Sequence, residues 1–162
     1  MGAATLSKPK ATARSNTDQL HLDQFIPYRL SVLTNTISMH IAHAYERQFG
    51  LSVPEWRVIA VLARYPDLSA VEVAERTAMD KVAVSRAVQS LIASRRLKRS
   101  YDKNDRRRSV LRLSSAGEAV YTQVAPLALR YEEDLLAVLN SEERRAFDEL
   151  LARLMERARS MS

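Results

Sequence analysis

Between Leu68 and Gly117 the chain reads LSAVEVAERTAMDKVAVSRAVQSLIASRRLKRSYDKNDRRRSVLRLSSAG. Two short helical patterns, a basic turn and two short alternating segments succeed one another without a long break. Ser69 and Glu72 form a capping-box pair, each side chain able to satisfy a backbone N–H of the first turn, which predicts a helix from Ser69 to about Arg76. Asp80 can cap the next helix, where Val84, Ala87, Val88, Leu91 and Ile92 recur at i, i+3, i+4, i+7 and i+8 and predict one buried stripe. The opposite face carries Lys81, Val82, Ser85, Arg86 and Gln89, and offers donors and acceptors of the kind that read base edges in a DNA major groove. Ala74 in the first helix and Ala78 in the turn are small where a tight corner brings two helices together, with Val84 expected to close the contact. Taken alone, the two helices also fit the core of a small bundle.

The residues beyond the second helix argue against a plain bundle. After Leu97 come KRSY, DKNDRRR and SVLRLS, and Leu111 and Leu113 alternate with Arg112 as a half-buried strand requires. Two short strands around a charged tip make a hairpin. Arg106, Arg107 and Arg108 read blandly as a solvated charge run, but from Arg95 to Arg108 there are eight basic residues against two acidic ones, Asp102 and Asp105. The whole net charge of +6 therefore sits beside the second helix, where a polyanion's phosphates would lie.

A helix-turn-helix followed by a hairpin reading Asp105, Arg106, Arg107, then Leu113, Ser114 and Gly117, resembles the winged-helix regulators of the MarR family. The resemblance spans roughly residues 22 to 160. It implies that Arg107 enters a minor groove with Asp105 helping to hold it, and that Ser85 and Arg86 match the family's recognition-helix pair, with Lys81, Gln89, Arg106 and Arg108 as further DNA contacts. One departure stands out: the family usually has glycine at the exit of the recognition helix, where this chain has Arg96. Glycine suits a left-handed cap. The helix end is therefore expected to be shaped differently, with a third arginine near the phosphates.

At 162 residues with 46% apolar side chains, the chain can bury one domain's core, with or without a dimerisation extension. Cysteine is absent, which excludes disulfides, thiol nucleophiles and cysteine-based sensing. No apolar run approaches the length of a membrane span and the N-terminus lacks a continuous apolar segment, so a cytoplasmic protein without membrane contact is expected. A pI near 9.9 favours an acidic partner. No Gly-rich phosphate loop or nucleophile elbow is present, and neither an enzyme nor a cofactor is expected.

Residues 1 to 17 are rich in Ala, Thr, Ser and Lys, with Lys8, Lys10 and Arg14 and no acid, as in a flexible tail. From Asp23 to Phe49, Ile26, Leu30, Leu33, Ile37, Ile41 and Ala44 recur at steps of three and four, and Gly50 ends the long amphipathic helix they predict. Such a helix outruns a small winged domain, so part of its apolar face should meet another helix or subunit. Ser52 and Pro54 open a helix through Arg64, with Val53, Trp56, Ile59, Ala60 and Leu62 on or near its buried side. Past the hairpin, Ser114 or Ser115 can cap a helix containing Val120, Val124, Leu127 and Tyr131, which Pro126 should kink. Ser141 with Glu142 and Glu143 starts a last helix, whose Phe147, Leu150, Leu151, Leu154 and Met155 form an apolar stripe. The expected fold is mainly α with a small β-hairpin. By the resemblance it is a winged helix-turn-helix over 51–113 with a helical dimerisation region over 21–50 and 114–160, behind a flexible basic tail over 1–20.

The first long helix also carries Tyr28, Arg29, Ser31, Asn35, His40 and His43, and the next carries Trp56 and Arg57. The resemblance implies an effector near the junction of these helices, where an arginine can pair with a carboxylate. The runs FIPYRLSVLTNTIS and PEWRVIAVL are similar to those of regulators that respond to hydroxycinnamates or their coenzyme A thioesters. Tyr28, Arg29, Ser31, Asn35, His40, Trp56 and Arg57 are the effector candidates. The bland alternatives are a core tryptophan and surface or interface pairs. His40 and His43 at i, i+3 could share a metal, but no cysteine or acidic ligand stands at helical spacing nearby, so no metal site is expected. The partners implied are a double-stranded DNA operator, a second copy of the chain, and a small aromatic acid or aromatic acyl-CoA. The alternative from another class is a nonspecific or architectural DNA-binding protein without an effector.

Overall fold

The computed structural model describes residues 20–101 and 108–161, so the expected tail lies almost wholly outside the described residues. The chain divides between Asn35 and Thr36 into two compact units. In the first, a short 3-10 turn over Leu22–Gln24 precedes the opening part of α1 (Ile26–Phe49). The helix starts at Ile26 rather than Asp23. Phe25 holds extended backbone between turn and helix, and Pro27 sits at the second helical position, where its missing N–H costs nothing. Ile26, Leu30 and Leu33 are exposed.

The second unit begins with the rest of α1. The expected stripe fails at its last position: Ala44 is exposed, whereas Tyr45, one full turn beyond Ile41, is 1% exposed and joins the core. Burial pushes the Tyr45 hydroxyl up to about 12. Gly50, at φ +61°, ends the helix in the left-handed conformation that glycine adopts most easily.

Next along the chain are α2 (Val53–Arg64), α3 (Ala70–Thr77), α4 (Lys81–Ala93), β1 (Leu97–Tyr101), β2 (Ser109–Leu113), α5 (Ser115–Leu136) and α6 (Ser141–Ser160). The core lies where α2, α3, α4, the hairpin and the first turns of α5 meet, around Val58, Ile59, Val73, Val88, Leu91 and Val124. Val58 belongs to this core although it was not among the α2 residues expected there. The strands pair antiparallel, with Leu97 opposite Leu113 and Arg99 opposite Leu111. Leu68 adds a bridge to Leu111, whose N–H donates to the Leu68 carbonyl at 2.8 Å.

Beyond Val124 no residue of α5 is fully buried, and α6 buries none. The last helix starts at Ser141 as expected and is capped by Asn140: its Oδ1 accepts from the N–H groups of Glu142 and Glu143, and Glu143 closes the box on the Asn140 N–H at 2.8 Å. Phe147, Leu150, Leu154 and Met155 keep the predicted spacing but are exposed. Among the described residues, no helix is long and apolar enough to cross a membrane.

Candidate nucleic-acid interface

Both ends of α3 are fixed by groups visible in the sequence. The Ser69 and Glu72 box is formed, with the Ser69 N–H donating to Glu72 Oε2 at 2.7 Å and the Glu72 N–H to Ser69 Oγ at 3.3 Å. Ala78 then adopts φ +50°, and the N–H of Met79 donates back to the Ala74 carbonyl at 3.2 Å. Ala74 is buried as expected, but Ala78 is exposed. What constrains Ala78 is its left-handed backbone, which bulky or β-branched side chains tolerate poorly, and not a contact between the helices.

Asp80 caps α4 by accepting from the N–H groups of Val82 at 2.8 Å and Ala83 at 3.1 Å. Val84, Ala87, Val88 and Leu91 are buried and Ile92 half-buried, which leaves Lys81, Val82, Ser85, Arg86 and Gln89 exposed on the opposite face. Val82 has neither donor nor acceptor in its side chain, so that face is not uniformly polar.

Beneath α4 lies a carboxylate that the sequence reading passed over. Glu55 is 8% exposed; its Oε2 accepts from the Ser52 N–H at 2.7 Å and from Ser52 Oγ at 2.6 Å. Its Oε1 accepts from Ser90 Oγ on α4 at 2.5 Å. Burial pushes this carboxyl up, but the hydrogen bonds from Ser52 and Ser90, with the charge of Arg96, outweigh burial and hold it below the ordinary 4.5. Glu55 thus closes the capping box of α2 and holds the recognition candidate at once. Ser52 and Glu55 repeat the spacing of Ser69 and Glu72, which was the available signal.

The exit of α4 corrects a second expectation. The left-handed residue is Arg95, at φ +58°, and the Arg96 N–H donates to the Leu91 carbonyl at 2.8 Å, so the left-handed cap is kept without glycine and one residue earlier. Nor does Arg96 stand free for phosphates: its guanidinium donates to the Phe49 carbonyl at the end of α1, at 2.5 Å. Ser114 locks this turn from the other side, its N–H donating to the Arg96 carbonyl at 3.0 Å and its Oγ to the Arg95 carbonyl at 2.6 Å. A Cβ on Gly117 would lie 2.2 Å from the Arg96 oxygen, so the spacing of Ser114 and Gly117 is what lets α5 dock there.

Asp105, Arg106 and Arg107 lie outside the described residues. At the foot of the hairpin, Arg108 donates to both oxygens of Glu72 at 2.6 Å and so ties the wing to the first turn of α3. Hydrogen bonds from Arg108, then from Ser69, hold the Glu72 carboxyl down at about 2. Lys98 and Arg99 are exposed on β1.

Of the effector candidates, Tyr28, Arg29, Ser31 and Asn35 belong to the first unit and are all exposed. The second unit holds the others. His40 Nδ1 lies 2.9 Å from the Tyr131 hydroxyl, and Arg57 donates to Ser38 Oγ at 3.0 Å. Trp56 stacks on Tyr121 with centroids 6.0 Å apart and meets Tyr45 at 5.8 Å, so its ring serves the core even though it is not fully buried. Among the described residues, no cluster of three or more His, Cys, Asp or Glu could hold a metal.

The sequence model of the MarR family matches residues 49–108. The transcriptional regulator HosA of Escherichia coli O127:H6 is 24% identical over 123 residues, 76% of this chain and 91% of HosA. Among solved structures, a MarR/EmrR family transcriptional regulator from Acinetobacter sp. ADP1 superposes with a TM-score of 0.79 at 26% identity, covering 87% of this chain and 99% of that one. BpsR of Bordetella bronchiseptica shares the fold, with a TM-score of 0.73 at 23% identity over 85% of this chain and 97% of its own. With a helix-turn-helix, a hairpin and flanking long helices, the chain is similar to transcriptional regulators of the MarR family, in sequence over residues 49–108 and in fold over most of its length.

Proposed function

We propose that the chain works as a homodimer that binds a pseudopalindromic operator, represses from it, and is released by an aromatic carboxylate of the hydroxycinnamate type or its coenzyme A thioester. The carrying observation is the exposed face of α4. Lys81, Ser85, Arg86 and Gln89 stand opposite the buried stripe of Val84, Ala87, Val88 and Leu91 on a helix held at its start by Asp80 and toward its end by Glu55, Ser114 and the Arg95 turn. The segment that carries the entire net charge, residues 95–108, follows it in the chain. Arg86 is the residue best suited to a bidentate contact with guanine. Arg106 and Arg107, with Asp105 in support, are assigned the flanking wing contact on the family resemblance, and Arg108 positions the wing through Glu72. Two-fold symmetry sets the recognition helices about 34–36 Å apart, one turn of duplex.

Selecting a preferred duplex from a randomised library and competing it against bulk duplex tests this reading. A specific regulator should prefer its site on the order of 10³-fold or more. A ratio near one would instead favour an architectural protein that uses the same basic surface without readout.

For the effector, the support comes from α2, which carries Glu55 under the recognition helix and, on the next two positions, Trp56 and Arg57. A free acid held by Arg57 through its carboxylate, or a thioester held there through its phosphates, would act on the helix that supports α4. The DNA binding of BpsR is regulated by 6-hydroxynicotinic acid, an aromatic acid acting on a protein of the same fold. Relief of DNA binding by about tenfold requires about 1.4 kcal/mol of coupling, which the ligand supplies only by preferring the DNA-incompetent conformation. Titrating ferulate, p-coumarate and their thioesters against the preformed complex, with benzoate and free coenzyme A as controls, tests this half. No binding and no release by any of the four would remove the effector class and leave the DNA-binding reading intact.

A further inference from the structure

On the exposed face of α4, Val82 is the one large apolar side chain; Ala93, in the last turn, adds only a methyl. Val82 is 56% exposed. It lies three and four positions before Ser85 and Arg86 and seven before Gln89, so it shares their face and stands one turn nearer the start of the helix. Its N–H is fixed by Asp80, which places it in the best-anchored turn of α4. Valine in an exposed helical position gains nothing from packing and is a weaker helix former than alanine, lysine or glutamate. Neither the fold nor the helix therefore accounts for it.

In a major groove the one apolar group on a base edge is the 5-methyl of thymine, and the N-terminal residues of a recognition helix are those that meet base edges. We propose that Val82 is a specificity-determining residue that reads a thymine methyl in each half-site. This rests on the assignment of α4 as the recognition helix and deepens it. Four residues of helix rise about 6 Å, close to two base steps of about 3.4 Å, so the thymine should fall about two steps from the guanine that Arg86 takes.

The test uses the full chain and the duplex recovered by library selection, remade with deoxyuridine at one thymine at a time, which removes only the methyl. At one thymine per half-site the exchange should weaken binding about fourfold, as burial of a single methyl-sized group predicts. Val82→Ala, which removes the contact in both half-sites, should bind the parent duplex about as weakly as the wild type binds a duplex with deoxyuridine at both of those thymines, and should be indifferent to the exchange at either. Its sensitivity to the guanine taken by Arg86 should remain. If no thymine methyl matters to the wild type, or if Val82→Ala keeps the full sensitivity, Val82 does not read a methyl, while specific binding that still depends on Arg86 leaves the recognition helix standing. A library that returns no consensus sequence removes the recognition helix and Val82 together.

Discussion

Leu91 in α4 is 0% exposed and Leu154 in α6 is 55% exposed, although each sits in an apolar stripe of the same helical spacing. The difference between these two helices lies in what surrounds them. α4 is enclosed by α2, α3 and β1, and its polar groups reach into neighbours through Ser90 and Glu55. α6 has a complete capping box and basic residues in its last turn, so the helix is well specified, yet its stripe has no cover within the second unit. A contiguous exposed stripe of this kind marks an interaction surface. The described part of the winged region is packed within one chain, whereas the stripe of α6 is left exposed.

Substitutions that separate the two regions should do so most strongly in the core. Leu91→Ala is expected to lower unfolding free energy by about 2–5 kcal/mol, read by urea denaturation and independent of protein concentration. Leu154→Glu should instead leave a folded winged region by circular dichroism, convert dimer to monomer in sedimentation velocity, and weaken operator binding by about a hundredfold or more through loss of bivalency. An oligomer that survives Leu154→Glu unchanged would break the comparison. Gly117→Ala probes the boundary between the regions, because the new methyl meets the Arg96 carbonyl; a loss of about 1–3 kcal/mol in thermal unfolding is expected. Arg86→Ala should leave unfolding unchanged, cost about 1–3 kcal/mol in operator binding and relax the preference at one base pair, as a library selection would show.

The smallest effect belongs to the ion pair between Arg108 and Glu72, both partly solvated. Glu72→Gln should cost at most about 1 kcal/mol. Because the folded carboxyl is held at about 2, below its ordinary 4.5, its contribution is full above 4.5 and is lost as pH falls from there toward 2. Wild type and Glu72→Gln should therefore converge in stability as acid is added, and a constant gap down to pH 2 would contradict the pairing.

The winged region was legible because its signals are local. Ser69 with Glu72, and Asp80, act within one turn of themselves, and the α4 stripe needs only a period. Glu55 escaped notice although Ser52 stands three residues before it, because its second role, toward Ser90, joins positions 35 residues apart. Arg96 was misplaced for a similar reason. Which of two adjacent arginines takes the left-handed turn depends on where Ser114 and Gly117 dock, and no pattern near Arg96 shows that. Tyr45 displaced Ala44 because both lie near the expected stripe and packing selects the larger side chain. Apart from Ala44, the stripes of α1 and α6 keep their helical spacing, but spacing does not say what covers them.

The central claim, that one winged region reads a half-site while the exposed stripes pair two copies on one operator, is tested by changing the spacing between half-sites. Inserting roughly five base pairs, about half a helical turn, at the centre of the selected duplex rotates the two half-sites to opposite sides of the DNA. A symmetric dimer should then lose most of its preference over bulk duplex, and inserting a full turn should restore part of it. Equal affinity for the parent and half-turn duplexes would contradict the account, since each chain would then be reading DNA without its partner.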